Sequence, residues 1–123
     1  PKEAEPHLMR EFEERRLKKL GVEDPVAMVK DVSDQYHLGY DIQTTNPDGS
    51  VRRIEVKSSN SNRFIISRNE VAKSKIHDDY WIYVVTVTDK KVRVKTIENP
   101  NLLDDNQFSL EPLNFEVKFR NEG

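Results

Sequence analysis

The sequence predicts a mixed α/β (α+β) fold arranged around one sheet. Three observations carry that expectation. A stretch near the start, residues 3–20, places apolar residues near one helical face. Two pairs of β-type runs follow, Tyr40–Thr45 with Val51–Ser58 and Tyr80–Thr88 with Lys91–Ile97. Between them stands Ser67-Arg68-Asn69-Glu70, the S-x-x-E pattern of a helix capping box. The order is helix, hairpin, strand, helix, strands, as expected for helices packed on a sheet.

Each element has a local cause. In residues 3–20, Leu8, Met9, Phe12 and Leu20 fall near one face among many Glu, Arg and Lys. Gly21 is a natural C-terminal stop, and Pro25 follows shortly after. Residues 26–39 read two ways: Val26, Met28, Val29 and Val32 suit a short strand or an irregular lead-in. Phe64–Ile66 is a short strand, and the capping box should open a helix over about residues 68–77. Tyr80–Thr88 is strongly β-type, with Asp89-Lys90 as the turn to its partner. Residues 98–112 read as loop or a short helix. Asn114–Arg120 alternates as a last strand, with Phe115, Val117 and Phe119 on one side.

Composition narrows the class. The chain has 123 residues, 35% hydrophobic and 34% charged, which suits one domain with a modest core and a charged surface. No apolar run approaches the roughly 20 residues of a membrane helix, and no signal-peptide pattern opens the chain. Cysteine is absent, which excludes disulfides and Cys-ligated zinc and agrees with an intracellular, cytoplasmic setting. Pro1 in place of Met suggests a fragment of something larger. The net charge of −2 argues against a strong independent nucleic-acid binder, although an acidic metal site would offset basic residues in that count.

The turn Asn46-Pro47-Asp48-Gly49 fixes which side chains share a face. Pro47 presets φ at the first central position and Gly49 takes positive φ, giving a three-residue loop that pairs Asn46 with Ser50. Asp41 then lies opposite Glu55, Ile42 opposite Ile54, and Tyr40 opposite Val56. Alternation puts Asp41, Gln43, Arg53, Glu55 and Lys57 on one face and Tyr40, Ile42, Ile54 and Val56 on the other. A two-residue loop would mix polar with apolar on both faces, so the hydrophobic pattern supports the longer one. Opposed side chains have Cβ atoms ~4.5–5.5 Å apart. Two carboxylates at that separation repel. Lys57 offsets part of the repulsion, and a divalent cation would offset more. Mg²⁺ is commonly held by one or two carboxylates with water and substrate phosphate.

Asp41 followed by Glu55-x-Lys57 resembles the signature of the PD-(D/E)XK nuclease superfamily. More narrowly, five ordered segments resemble the domain at the C-terminus of the plant NO VEIN protein. They are Val32-Ser33-Asp34, Gly39-Tyr40-Asp41-Ile42, Asp48-Gly49, Arg53-Ile54-Glu55-Val56-Lys57 and Ser67-Arg68-Asn69-Glu70. Similar domains occur in bacterial restriction and defence proteins. The similarity covers roughly residues 5–88, and residues 98–123 match no pattern. The resemblance implies a restriction-endonuclease-like central mixed sheet flanked by helices. It implies that Asp41 and Glu55 ligate Mg²⁺ or Mn²⁺ with the Val56 backbone carbonyl, and that Lys57 positions or deprotonates the attacking water. An acidic residue on the first helix, for which Glu5 is the best candidate, would join them. The implied activity is Mg²⁺-dependent endonucleolytic cleavage of DNA in restriction or anti-phage defence. A homodimer or additional specificity domains or subunits would be the implied partners, with no membrane.

Other features stay open between two readings. Gln43 and Arg53 touch phosphate or are solvated strand residues. Ser58 and Arg63 flank a polar loop that contacts a nucleic-acid backbone or only connects elements. Arg68, Lys73 and Lys75 line a DNA-facing edge or a solvated helix face. Lys90, Lys91, Arg93 and Lys95 bind phosphate or protect an edge strand. Glu70 completes the capping box, which explains it without chemistry, while the resemblance, which includes Asn69-Glu70, leaves a second role near the site open. His7, His37 and His77 lack metal-ligand spacing and read as surface residues. The competing function is an inactive nucleic-acid-binding or protein-interaction module of the same fold.

Overall fold

The computed structural model describes residues 6–59, 62–89, 91–100, 108–110 and 116–120. Its first helix, α1 (Pro6–Lys19), begins on a proline, which fits the first helical turn because the missing N–H has no intrahelical partner there. It ends as the sequence suggests. Gly21 adopts φ +92°, its N–H reaches Lys18 O, and Val22 N–H reaches Leu17 O at 3.1 Å. The buried face differs from expectation. Met9, Glu13 and Leu17 are the buried positions, with Leu8 and Phe12 beside them, whereas Leu20 is 57% exposed. Leu20 lies past the last regular turn, so the helical spacing no longer applies to it.

The ambiguous stretch after α1 contains both short helix and strand. Asp24 accepts from Ala27 N–H and caps the single turn α2 (Pro25–Met28). The chain then enters β1 (Val29–Asp31) and makes a 3-10 turn at Tyr36–Leu38. Next come β2 (Ile42–Thr45), β3 (Val51–Ser58), β4 (Arg63–Ile65), α3 (Arg68–Ile76), β5 (Tyr80–Thr88) and β6 (Lys91–Glu98). The last strands are β7 (Phe108–Leu110) and β8 (Glu116–Phe119). Residues 108–110 are therefore strand rather than loop or short helix. They pair only with β8, and three residues are too few to show a period. Phe115 lies outside the described residues. Val117 is buried and Phe119 packs on the same cluster, as the alternation requires.

The central sheet has five strands in the order β1-β2-β3-β5-β6, mixed because β3 and β5 run parallel and the other neighbours antiparallel. Parallel neighbours need a crossover, and β4 with α3 supplies it. A second sheet has the order β4-β8-β7. The β2–β3 register is the expected one: Ile42 pairs with Ile54 and Thr45 with Val51, closed by Asn46 N–H to Ser50 O at 2.8 Å. Gly49 has φ +88°.

Two apolar clusters sit on opposite faces of this sheet. On one, Met9 and Leu17 of α1 meet Val29, Ile42, Ile54, Val56, Tyr83 and Val85. On the other, Val71 of α3 meets Phe64, Ile66, Tyr80, Ile82, Val84 and Val117. β5 feeds both faces in alternation, which explains its near-continuous apolar sequence. Tyr40 departs from expectation. It packs against the α3-side cluster, not with Ile42, Ile54 and Val56. The cause lies at Asp41, whose N–H donates to Ile54 O at 2.8 Å although Ile54 is already the ladder partner of Ile42. One extra residue at that point breaks the alternation and sends Tyr40 to the other side.

Beneath α1 lies a buried polar network. Glu13 is fully buried and accepts from Tyr83 Oη at 2.8 Å and from both Arg16 Nε and Nη2. Arg16 Nη2 also donates to Asn46 Oδ1 in the hairpin turn, and Arg52 Nη1 donates to Tyr83 Oη at 2.6 Å while its guanidinium lies over Trp81. This network ties α1 to the hairpin. Glu13→Ala leaves Arg16 and Tyr83 without their shared acceptor, and the expected cost is about 3 kcal/mol of stability by equilibrium urea unfolding. A loss below about 0.5 kcal/mol would show that the network contributes little.

Candidate active site

The site forms where β2 gives out beside β3. Odd-numbered backbone groups of β3 face β5: Arg53 N–H donates to Asp79 O and Ser59 N–H to Val85 O. Val56, being even, directs its N–H and C=O towards the β2 side. There the regular ladder stops at Ile42, and the Asp41 side chain takes over, its Oδ2 accepting from Val56 N–H at 2.9 Å. Asp41 therefore does not sit squarely opposite Glu55 in a regular ladder, as the sequence suggests. The bulge brings its carboxylate over the strand edge instead. The Val56 carbonyl points to the same side.

Glu55 and Lys57 project from β3 towards α3. Both are buried, with 5% and 8% exposure. Lys57 Nζ lies 3.1 Å from Glu55 Oε2 and 2.7 Å from Glu70 Oε1. Glu70 belongs to the capping box at the start of α3: Ser67 Oγ accepts from Glu70 N–H, and Glu70 Oε1 accepts from Ser67 N–H. Its capping role is as read from the sequence. Its contact with Lys57 was not readable, because it depends on α3 crossing back over β3. Tyr80 lies under the same cluster and donates to Gly39 O at 2.8 Å. Gly39, at φ +75°, is fitted against α3. A Cβ there would stand 2.4 Å from Lys73 Cγ.

The electrostatics follow from burial and charge count. Burial pushes Asp41 above the usual carboxylate range, against the Val56 hydrogen bond and Lys57. Burial and then the Asp41 charge push Glu55 well above it. Burial would lower Lys57, but Glu55 and Glu70 outweigh it and hold the ammonium above its ordinary value. Burial would raise Glu70, but its bonds to Glu55 and Lys57 outweigh that and hold it low. The same carboxylates, after burial, raise the Tyr80 hydroxyl and keep it neutral.

Three carboxylates face one ammonium here, leaving two formal negative charges in a largely buried setting. Among the described residues, no group of three or more His, Cys, Asp or Glu side chains is placed to hold a metal ion. The donor set that does fit is Asp41, Glu55 and the Val56 carbonyl, all oxygen, as a hard divalent cation prefers. Glu5 lies outside the described residues.

The other expected residues are spread around this centre. Gln43 and Arg53 pair across the hairpin on the site's face. Tyr40 Oη lies 3.5 Å from Gln43 Oε1, and Arg53 is bound to Asp79 and lies over the Tyr40 ring. Ser58 projects to the face opposite Lys57 by alternation. Arg63 and Arg68 are exposed on β4 and at the start of α3, and Lys73 is half-buried beside Gly39. On the basic edge strand, Lys91, Arg93 and Lys95 are exposed, Lys95 over the Phe119 ring, while Lys90 lies outside the described residues. His7 and His37 are exposed, but His77 is half-buried with its ring edge-to-face on Tyr40. No helix among the described residues is long and apolar enough to cross a membrane.

A mixed sheet covered by helices on both faces, with an acid–acid–lysine cluster at the broken edge of a hairpin, defines a small α/β domain. The family model described as "Protein NO VEIN, C-terminal" matches residues 6–97, and the chain belongs to that family. That span holds every residue of the centre. No curated protein and no solved structure matches the chain.

The raised carboxylates give a stability prediction. Asp41 and Glu55 bind protons more tightly when folded than when unfolded, so their contribution is complete below the ordinary carboxylate range and is lost as pH rises. Glu70 is shifted the other way, so its contribution is complete above that range and stays constant there. The metal-free protein should therefore lose thermal stability as pH rises above the ordinary carboxylate range. Glu55→Gln should flatten that fall and melt higher than wild type at the alkaline end. Equal slopes for the two proteins in scanning calorimetry would refute this account.

Proposed function

We propose that this chain is a Mg²⁺- or Mn²⁺-dependent DNA endonuclease domain of PD-(D/E)XK type, acting in restriction or anti-phage defence. The observation that carries the reading is the convergence of Asp41, Glu55 and Lys57 at one buried point, with Val56 bound to Asp41 between them. Residues 14 positions apart in sequence, Asp41 and Glu55, meet only because of the hairpin and its bulge. The defence setting is supported by the resemblance to domains of restriction proteins.

Asp41 and Glu55 would hold the metal, with the Val56 carbonyl beside them. When bound, Mg²⁺ would acidify a water and offset the negative charge that builds up on the phosphate oxygens. Lys57, anchored in the same pocket, orients the attacking water and receives or relays its proton. The basic edge strand β6 lies beside the centre, where Lys57, Val84 and Lys95 form one row across β3, β5 and β6.

A second reading, a metal-free binding module, draws on the described residues leaving Asp41 and Glu55 as the carboxylates for a cation once Glu70 is bound to Lys57. Supercoiled plasmid separates the two. Wild type should nick it with Mg²⁺ or Mn²⁺ and be silent in EDTA. Asp41→Ala and Lys57→Ala should each slow cleavage by about 10²-fold or more while keeping the circular dichroism of wild type. Gel shifts that persist in EDTA, with no nicking in either metal, would establish the binding module instead.

A further inference from the structure

We infer that Glu70 is a positioning residue for Lys57, and that the acidic groups of the centre divide their work: Asp41 and Glu55 serve the cation, and Glu70 serves the lysine. The inference deepens the nuclease reading and rests on it for the role of Lys57. Its geometric half stands independently.

One carboxylate oxygen of Glu70 is fully engaged. Glu70 Oε1 accepts from Lys57 Nζ at 2.7 Å and from Ser67 N–H at 2.9 Å. Two donors occupy the lone pairs of that oxygen, which makes it a poor metal ligand. The carboxyl as a whole lies within hydrogen-bonding reach of Glu55, so it is held from three sides. Its backbone is fixed as well, because Glu70 N–H is bound to Ser67 Oγ at 3.1 Å.

A lysine needs such a partner. Its four-carbon stem is flexible and its ammonium is a point charge with no built-in direction. Lys57 has two anchors: Glu55 at 3.1 Å and Glu70 at 2.7 Å. A cation held by Asp41 and Glu55 would compete with Lys57 for Glu55, whereas Glu70, the nearer of the two, would remain its anchor. The helix cap thereby transmits its rigidity to the nucleophile's partner. An S-x-x-E cap uses the two contacts that Glu70 makes with Ser67, and the contact to Lys57 is one that the cap does not explain.

The test uses Glu70→Ala, Glu70→Gln and Ser67→Ala in the full chain. Ser67→Ala removes the hydroxyl from the cap but keeps the backbone N–H and the Glu70 carboxylate. Protection of the Lys57 amine is measured by acetic anhydride labelling and mass spectrometry on metal-free protein. Wild type, Glu70→Gln and Ser67→Ala should protect Lys57, and Glu70→Ala should label it at least several-fold faster while other lysines are unchanged. Unchanged protection in Glu70→Ala overturns the inference, whether or not the domain cleaves DNA. On plasmid, Glu70→Ala should lower kcat on the order of 10²-fold with KM for DNA unchanged, as for a misplaced reacting group. Glu70→Gln should recover most of the loss. The Mg²⁺-induced rise in Tm should survive in Glu70→Ala and vanish in Asp41→Ala. Its loss in Glu70→Ala would make Glu70 a metal ligand and overturn the division of labour. A wild type that neither cleaves nor responds to Mg²⁺ fails the nuclease reading, and the labelling result then decides the Lys57–Glu70 geometry by itself.

Discussion

Positive φ at Gly49 lets Asn46 N–H reach the Ser50 carbonyl, and that closure sets the register of β2 against β3. Side chains alternate across a strand, so a slip of one residue would exchange every polar and apolar position of the hairpin. Ile42, Ile54 and Val56 go under α1 because of it, and Glu55 and Lys57 go under α3. Arg16 reinforces the same turn from outside by donating to Asn46. Fixing the turn thus fixes which face carries the chemistry and which carries the core.

The second constraint is the place where the register fails. Asp41 shares the Ile54 carbonyl with the ladder and bonds its side chain to Val56 N–H. A regular continuation would have used backbone for both bonds. Replacing a backbone acceptor by a carboxylate puts negative charge beside Glu55 in a partly dry setting, where repulsion is poorly screened. Such an arrangement is unfavourable for folding alone, and sites that are unfavourable for folding alone are where function is sought. The buried pair Glu13–Arg16 across the sheet makes a useful contrast. There each charge has its counter-charge and its hydrogen bonds, and no excess remains to be balanced.

Patterns that repeat within a few residues were readable from sequence. The hairpin register followed from one turn, the α3 cap from four residues, and β3 and β5 from their β-type runs, with bounds of Val51–Ser58 and Tyr80–Thr88. What escaped depends on distant partners. Glu13 looks like one more surface acid, and its burial rests on Arg16 one turn along and on the Tyr83 hydroxyl 70 residues away. Tyr40 was assigned to the wrong face because a bulge of one residue leaves no mark in composition. The site divides along the same line. Asp41, Glu55 and Lys57 were found through local geometry and a resemblance, whereas the Glu70 contact with Lys57 awaited the position of α3.

That last contact also changes how the site is understood. With the three-residue set alone, Lys57 would answer only to Glu55, and any movement of Glu55 towards a cation would release it. With Glu70 present, the ammonium sits between two acids on different elements, one on a strand and one on a helix cap. Burial acts against its charge, yet the two acids hold it protonated. A protonated lysine donates; it does not accept. On the proposed reading Lys57 would therefore act as a donor that orients an oxygen, and it could accept a proton only if one of its two acids were first taken up elsewhere. On the proposed reading, capture of a cation by Glu55 would be that event, and a single shared carboxylate would then link metal loading to the lysine.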